Sequence, residues 1–226
     1  MRTTQWNDAV SVIDRVTLVL ECFRVDDKRL GVSELARRAN LPKSTVSRLV
    51  SELVEHRYLE RDGSGIRLGL RLFELGELAA QPNALRGLAL STMADLRDAT
   101  GQTVHLEVLD GSDVVCIGVL RGQDAVGRHP RVGDRWSADS TAAGRVMRAY
   151  VPGFGSVRDP GLVLRHDREG SEITCAASAI LTPDLQPIAA IAISGPQSTA
   201  GGESVTLAVR TAAIALGRRL AARPPA

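Results

Sequence analysis

Val10, Ile13, Val16, Leu20 and Phe23 recur at intervals of three or four, the spacing of one face of a helix. The charged stretch from Arg24 to Gly31 reads as a loop. Ser33, just ahead of Glu34, Leu35 and Ala36, is placed to cap a second, shorter helix. Asn40-Leu41-Pro42 breaks that helix, and Val46, Leu49, Val50 and Leu53 restore helical spacing over Ser44 to Val54. Proline near the start of this third helix is tolerated because first-turn amides lack an intrahelical acceptor. Tyr58-Leu59-Glu60 and Ile66-Arg67-Leu68 flank Arg61-Asp62-Gly63-Ser64-Gly65, a small hairpin with glycines at its tip. Leu70, Leu72, Phe73, Leu75 and Leu78 predict a further helix to Ala80, and Gln81-Pro82-Asn83 predicts its end and a domain boundary.

Beyond that boundary the pattern changes period. A helix over Leu85 to Ala99 leads through Thr100-Gly101 into alternating Thr103–Leu109, a predicted strand. Asp110-Gly111 is a hairpin-type turn, and Val114–Leu120 is the returning strand. Gly122 to Pro130 reads as a loop, and Ser140 is a candidate cap for a helix over Thr141 to Tyr150 that Pro152-Gly-Phe-Gly interrupts. Ile173–Ile180 and Pro187–Ser194 predict paired strands around Thr182-Pro183-Asp184, and Glu203 to Ala222 closes the chain as a helix. Strands between helices predict an α+β fold, a mixed antiparallel sheet backed by helices.

Composition adds limits. At 226 residues there is room for one large domain or two small ones. No apolar run approaches the roughly 18 residues of a membrane span, so no membrane partner is expected. The start MRTTQWNDAV lacks a signal-peptide pattern, and Cys22, Cys116 and Cys175 are odd in number and far apart, so a cytoplasmic location is expected. A net charge of +2 does not mark a nucleic-acid binder, and residues 1–80 alone hold 13 basic and 12 acidic residues. Any basic patch must therefore be local.

One is. From Leu35 to Ser51 there is no acid, against Arg37, Arg38, Lys43 and Arg48. The third helix adds the short hydroxyls Ser44, Thr45 and Ser47, which permit close approach to a major groove and can bond phosphates or base edges. Ser33 opens the preceding helix, and Arg61 and Arg67 on the hairpin would sit as a wing on the DNA backbone or minor groove. The competing interpretation is a small helical domain with a basic solvated face. In the second half Thr103, His105 and Glu107 share one strand face, opposite Val104, Leu106 and Val108. That polar face either meets solvent or, with Cys116, Trp136, Thr141, Cys175 and Ser194, lines a pocket. Cys116 and Cys175 lie within apolar runs and are buried core thiols or ligands.

VSELARRANLPKSTVSRLV at 32–50, then LVEHRYLER and IRLGLRLFELG, resemble the winged helix-turn-helix of the IclR family of bacterial transcriptional regulators. The resemblance continues through TGQTVHLEVLDGSDVVCIGVL, STAAGR, ITCAAS and IAAIAISGP, covering roughly residues 10 to 220. It implies a winged DNA-binding domain (1–69), a linker helix (70–82) and a GAF-like effector-binding and oligomerisation domain (83–226). Implied partners are a double-stranded DNA operator, a small-molecule effector and further copies of the chain, as a homodimer or dimer of dimers; no cofactor is implied. Pro42, Lys43, Ser44, Thr45, Ser47 and Arg48 fall on the family's recognition helix. Ala142, Ala143, Cys175 and Ser194 fall where relatives hold a small acidic or aromatic effector. The sequence departs from the pattern at Ala192, which replaces the first of two serines on the last strand. It departs again between Tyr150 and Ser171, a shortened segment whose acidic part is reduced to Asp167-Arg-Glu169, with Asp167 kept as an effector-site candidate.

Two other functional classes make specific demands on the sequence. An enzyme would need an activated nucleophile, and no local motif of a cysteine enzyme or hydrolase surrounds Cys116, Cys175, His105 or Ser194, so no catalytic residue is expected. A metal- or thiol-based sensor would draw on His105, Cys116, His129, His166 and Cys175, none of which shows close ligand spacing.

Overall fold

The computed structural model describes residues 11–123, 130–151, 163–166 and 173–222. The chain divides into two compact units, residues 1–79 and 80–226.

In the first unit, α1 (Val12–Leu20) opens with a capping box in which Ser11 and Asp14 satisfy each other's backbone amides. The helix buries Val19, while Val12 and Ile13 are exposed, so only part of the expected apolar face meets this unit's core. Helix α2 (Val32–Ala39) is capped by Gly31 without a side-chain bond; Ser33 lies in the first turn, exposed, and is not the cap. Asn40 adopts left-handed φ of 51°, a conformation asparagine tolerates, and the Leu41 amide reaches back to the Ala36 carbonyl at 3.1 Å. Pro42 then caps α3 (Lys43–Glu55). Leu35, Ala36 and Ala39 from α2 meet Val46, Leu49, Val50 and Leu53 from α3 in one core that also takes in Leu59 and Ile66. Strands β1 (Leu59–Asp62) and β2 (Gly65–Leu68) pair antiparallel around Gly63-Ser64, with Gly63 at positive φ as the first residue of a two-residue turn. Gly69 joins the hairpin to α4 (Leu70–Glu77) so closely that a Cβ there would lie 2.1 Å from the Arg57 carbonyl oxygen.

The break expected at Gln81-Pro82-Asn83 lies earlier. Helix α4 ends at Glu77, and α5 (Ala80–Thr100) starts with Pro82 inside its first turn, so this proline opens a helix rather than ending one.

The second unit is built on a six-stranded antiparallel sheet of order β5-β4-β3-β8-β7-β6. Its strands are β3 (Thr103–Asp110), β4 (Asp113–Leu120), β5 (Arg135–Ser137), β6 (Val163–His166), β7 (Ile173–Leu181) and β8 (Pro187–Pro196). The β3–β4 turn is Gly111-Ser112, one residue later than expected. The short edge strands β5 and β6 carry no sequence signature, because three or four residues are too few to display a period. One sheet face packs Val104, Leu106, Ile180, Ile191 and Ile193 against α5 and the C-terminal helix α8 (Glu203–Ala221), through Met93, Leu96, Val209 and Leu216. The other face meets α6 (Ala142–Arg148). Ser140 lies in a 3-10 turn (Ala138–Ser140), and the cap of α6 is Thr141, whose hydroxyl accepts the Gly144 amide at 2.9 Å. A short helix α7 (Gln197–Ala200) links β8 to α8. The Pro152-Gly-Phe-Gly interruption, Asp167, His129 and most of the expected 122–130 loop lie outside the described residues. Among the described residues no helix is long and apolar enough to cross a membrane.

Candidate functional site

Burying Val46, Leu49, Val50 and Leu53 turns Ser44, Ser47, Arg48 and Ser51 outward, an exposed stripe at helical spacing along α3. Lys43 is exposed at its N-terminal end, and Thr45 is half-buried. The Arg48 side chain is 76% exposed and makes one loose contact, 3.8 Å to Glu52 one turn later. This stripe is narrow, cationic and lined with short hydroxyls, as a groove-reading helix must be.

The neighbouring arginines are less available. Arg38, expected on the binding face, donates to Asp27 (2.5 Å), to Glu34 (2.7 Å) and to the Cys22 carbonyl (3.0 Å), and its side chain is only 21% exposed. It ties α2 to the loop after α1. Arg37 is exposed but bonds Glu34 through two nitrogens, at 2.6 and 2.9 Å. On the hairpin, Arg67 bonds Glu60 at 2.9 Å, and Glu60 also accepts the Leu70 amide that begins α4; Arg61 is exposed. The acid-free count over 35–51 thus missed Glu34, one residue outside it, and Asp27.

The network has a pH signature. Hydrogen bonds from Arg37 and Arg38 lower the Glu34 carboxyl from 4.5 to about 2, and Arg38 likewise lowers Asp27. The folded value lies below the unfolded one, so the contribution is complete above about 4.5 and is lost as pH falls toward 2. An acid titration of the full chain followed by helical circular dichroism should show this loss over that window, and Arg38→Met should flatten it.

In the second unit the three polar residues of β3 are all buried: Thr103 is 1% exposed, His105 4% and Glu107 4%. The solvent-exposed alternative is thereby excluded, because α6 roofs that face. His105 Nδ1 lies 3.2 Å from Glu107 Oε1, and its Nε2 lies 3.0 Å from Ser194 Oγ on β8. Glu107, left off the expected site, is the member that sequence reasoning missed; its place in the alternation with His105 was the available signal. A bulge beside Leu106/Glu107 adds a residue on β4 and sets Cys116 opposite Glu107. Desolvation, with Glu107 nearby, pushes the Cys116 thiol up to about 12, so it remains protonated. Cys175, half-buried, pairs with Ser194 across β7 and β8. Ala142 and Ala143 are buried against Ala177 and Ala192, and half-buried Trp136 packs on the same cluster. Thr103 accepts the Gly122 amide at 3.1 Å, and Thr141 is occupied as the α6 cap. The sheet thus brings Thr103, His105, Cys175 and Ser194 together and puts Cys116 beside Glu107. Ala142, Ala143 and Trp136 belong to the adjoining apolar cluster. Among the described residues no group of three His, Cys, Asp or Glu could hold a metal ion.

The chain thus places a winged helix-turn-helix in one compact unit and a sheet with a buried polar strip in the other. Comparison with known proteins agrees. Residues 12–63 match the IclR helix-turn-helix domain, and residues 79–153 match the bacterial transcriptional regulator IclR C-terminal domain. The chain belongs to the IclR family. It is 29% identical over 144 residues to the HTH-type transcriptional regulator XynR of Escherichia coli, a match spanning 63% of this chain and 57% of that protein. It is 32% identical over 145 residues to KdgR of Dickeya chrysanthemi, spanning 63% of this chain and 47% of that protein. These matches span about half the length of the relatives. An IclR homologue from Microbacterium hydrocarbonoxydans, crystallised with 4-hydroxybenzoate, is 28% identical with a TM-score of 0.83, over 94% of this chain and 100% of that one.

Proposed function

We propose that the protein is a sequence-specific DNA-binding transcriptional regulator whose operator affinity is set by a small organic or aromatic acid bound in the second unit. The observation that carries this reading is the exposed α3 stripe of Lys43, Ser44, Ser47 and Arg48 on a helix-turn-helix core. In this reading residues 1–69 bind DNA, 70–82 link, and 83–226 bind the effector. Arg48 reads bases, while Lys43 and Ser44 hold phosphate, which positions without specifying. Arg61 contacts the backbone from the wing. Arg38 serves the fold through Asp27 and Glu34.

Exposed apolar residues on α1 (Val12, Ile13), on α4 (Leu70, Phe73) and at the α4 cap (Leu78) fit burial against a second copy, giving a homodimer or dimer of dimers on a two-half-site operator in the cytoplasm. For the second unit, support comes from the buried His105–Ser194 pair and from the Microbacterium homologue, whose whole chain is covered by the match and which holds an aromatic acid. The protonated Cys116 thiol disfavours a thiol-based sensor. Genome-wide mapping of DNA bound by the protein tests the reading: discrete sites sharing one repeated motif are expected, and uniform occupancy would exclude sequence-specific regulation.

A further inference from the structure

Glu107, His105 and Ser194 form a single hydrogen-bonded line across two central strands, at 3.2 and 3.0 Å, and none is more than 5% exposed. Hydrogen-bond direction within such a line follows from the protonation of its members. If Glu107 is a carboxylate it can only accept, and Nδ1 then carries the hydrogen between them. A neutral imidazole then has a bare Nε2, which accepts from the Ser194 hydroxyl. In that state the one hydrogen of Ser194 is committed to His105.

An anionic oxygen arriving at Ser194 reverses this. It also only accepts, so Ser194 must turn its hydrogen toward it. Nε2 then faces a serine oxygen with no hydrogen between them, and buried polar groups left in that condition are costly. We propose that the free line pairs a Glu107 carboxylate with a neutral His105, and that effector binding loads a proton onto His105: Ser194 donates to an anionic oxygen of the ligand, and a proton taken from solvent onto Nε2 restores the bond to Ser194 Oγ. This rests on the effector reading above and deepens it, making the line the element that selects an anion over a neutral molecule of the same shape. The imidazolium is balanced by Glu107 on one side and the bound anion on the other, as a buried charge requires.

The surroundings suit this. Cys116, opposite Glu107 on β4, stays neutral, and Asp134 lies close enough to push its thiol further up. Cys175 is opposite Ser194 on β7, and Arg165 of β6 is opposite Cys175 in the register. Helix α6 contributes only Ala142, Ala143, Val146 and Met147 to the shared core. No cation among the described side chains competes with His105 for Glu107.

By linkage, uptake of one proton makes affinity for an anion fall by up to about tenfold per pH unit as pH rises. Calorimetric titration of the full chain with 4-hydroxybenzoate, in buffers of differing ionisation enthalpy at one pH, counts the protons. About one per bound molecule is expected, falling to none for neutral 4-hydroxybenzamide and for His105→Gln. Imidazole nitrogen NMR on the wild-type chain reads the same event independently of any variant, with one protonated ring nitrogen when free and two in the complex. Binding of 4-hydroxybenzoate without uptake, and with Nε2 still bare, would overturn the relay while leaving the effector site standing. No binding of 4-hydroxybenzoate at all would overturn both.

Discussion

Arg48→Ala is expected to reduce discrimination between the operator and half-site variants by about 5- to 150-fold, the roughly 1–3 kcal/mol that a bidentate arginine–guanine contact supplies. The expectation rests on position and freedom. Arg48 stands in the exposed stripe of α3, between Ser44 and Ser51, and only the loose contact to Glu52 must be given up on binding. Lys43→Ala should behave differently. A phosphate contact carries no sequence information, so affinity should fall about equally on every duplex and the salt slope should shrink by about one. Fluorescence anisotropy on the operator and single-base variants, at two salt concentrations, separates the two behaviours. Equal losses on all sequences for Arg48→Ala would remove it from base reading.

Leu35→Ala should damage DNA binding strongly without touching DNA. Leu35 is fully buried where α2 meets α3, in the core it shares with Val46 and Val50. Truncations of this kind cost about 2–5 kcal/mol, a large share of the 5–15 kcal/mol that holds a typical domain together. The consequence is mechanical: α3 loses the surface that holds its stripe outward. Hydrogen exchange on the full chain should show protection falling across Val32–Glu55, with DNA affinity lost evenly over all sequences. Unchanged protection in that segment would mean that the α2–α3 packing does not position the stripe.

The first unit was the more legible because its information is local. Helical spacing of Val46, Leu49, Val50 and Leu53, and a break at Asn40-Leu41-Pro42, can be read within twenty residues. Partners distant in sequence cannot. Arg38 looked like a groove cation because Asp27, eleven residues earlier, is brought to it only by the fold. Pro82 looked like a stop because proline suits both the residue after a helix and its first turn, and only the backbone distinguishes them. The polar face of β3 was seen, but its burial depends on α6 crossing from elsewhere in the chain. Glu107 shares that face by alternation, but its pairing with His105 emerges only once the strand is folded.

The units join at residues 79–80, between the end of α4 and the start of α5, so the chain itself provides one route by which an effector could act on DNA binding. A ligand can shift operator affinity only by binding two arrangements unequally, typically by about 1–3 kcal/mol. The deciding measurement is the affinity of the full chain for its mapped operator, with and without a saturating organic acid that calorimetry shows to bind it. A change of about 5- to 150-fold is predicted. Identical affinity with the acid demonstrably bound would contradict an effector-controlled regulator of this kind.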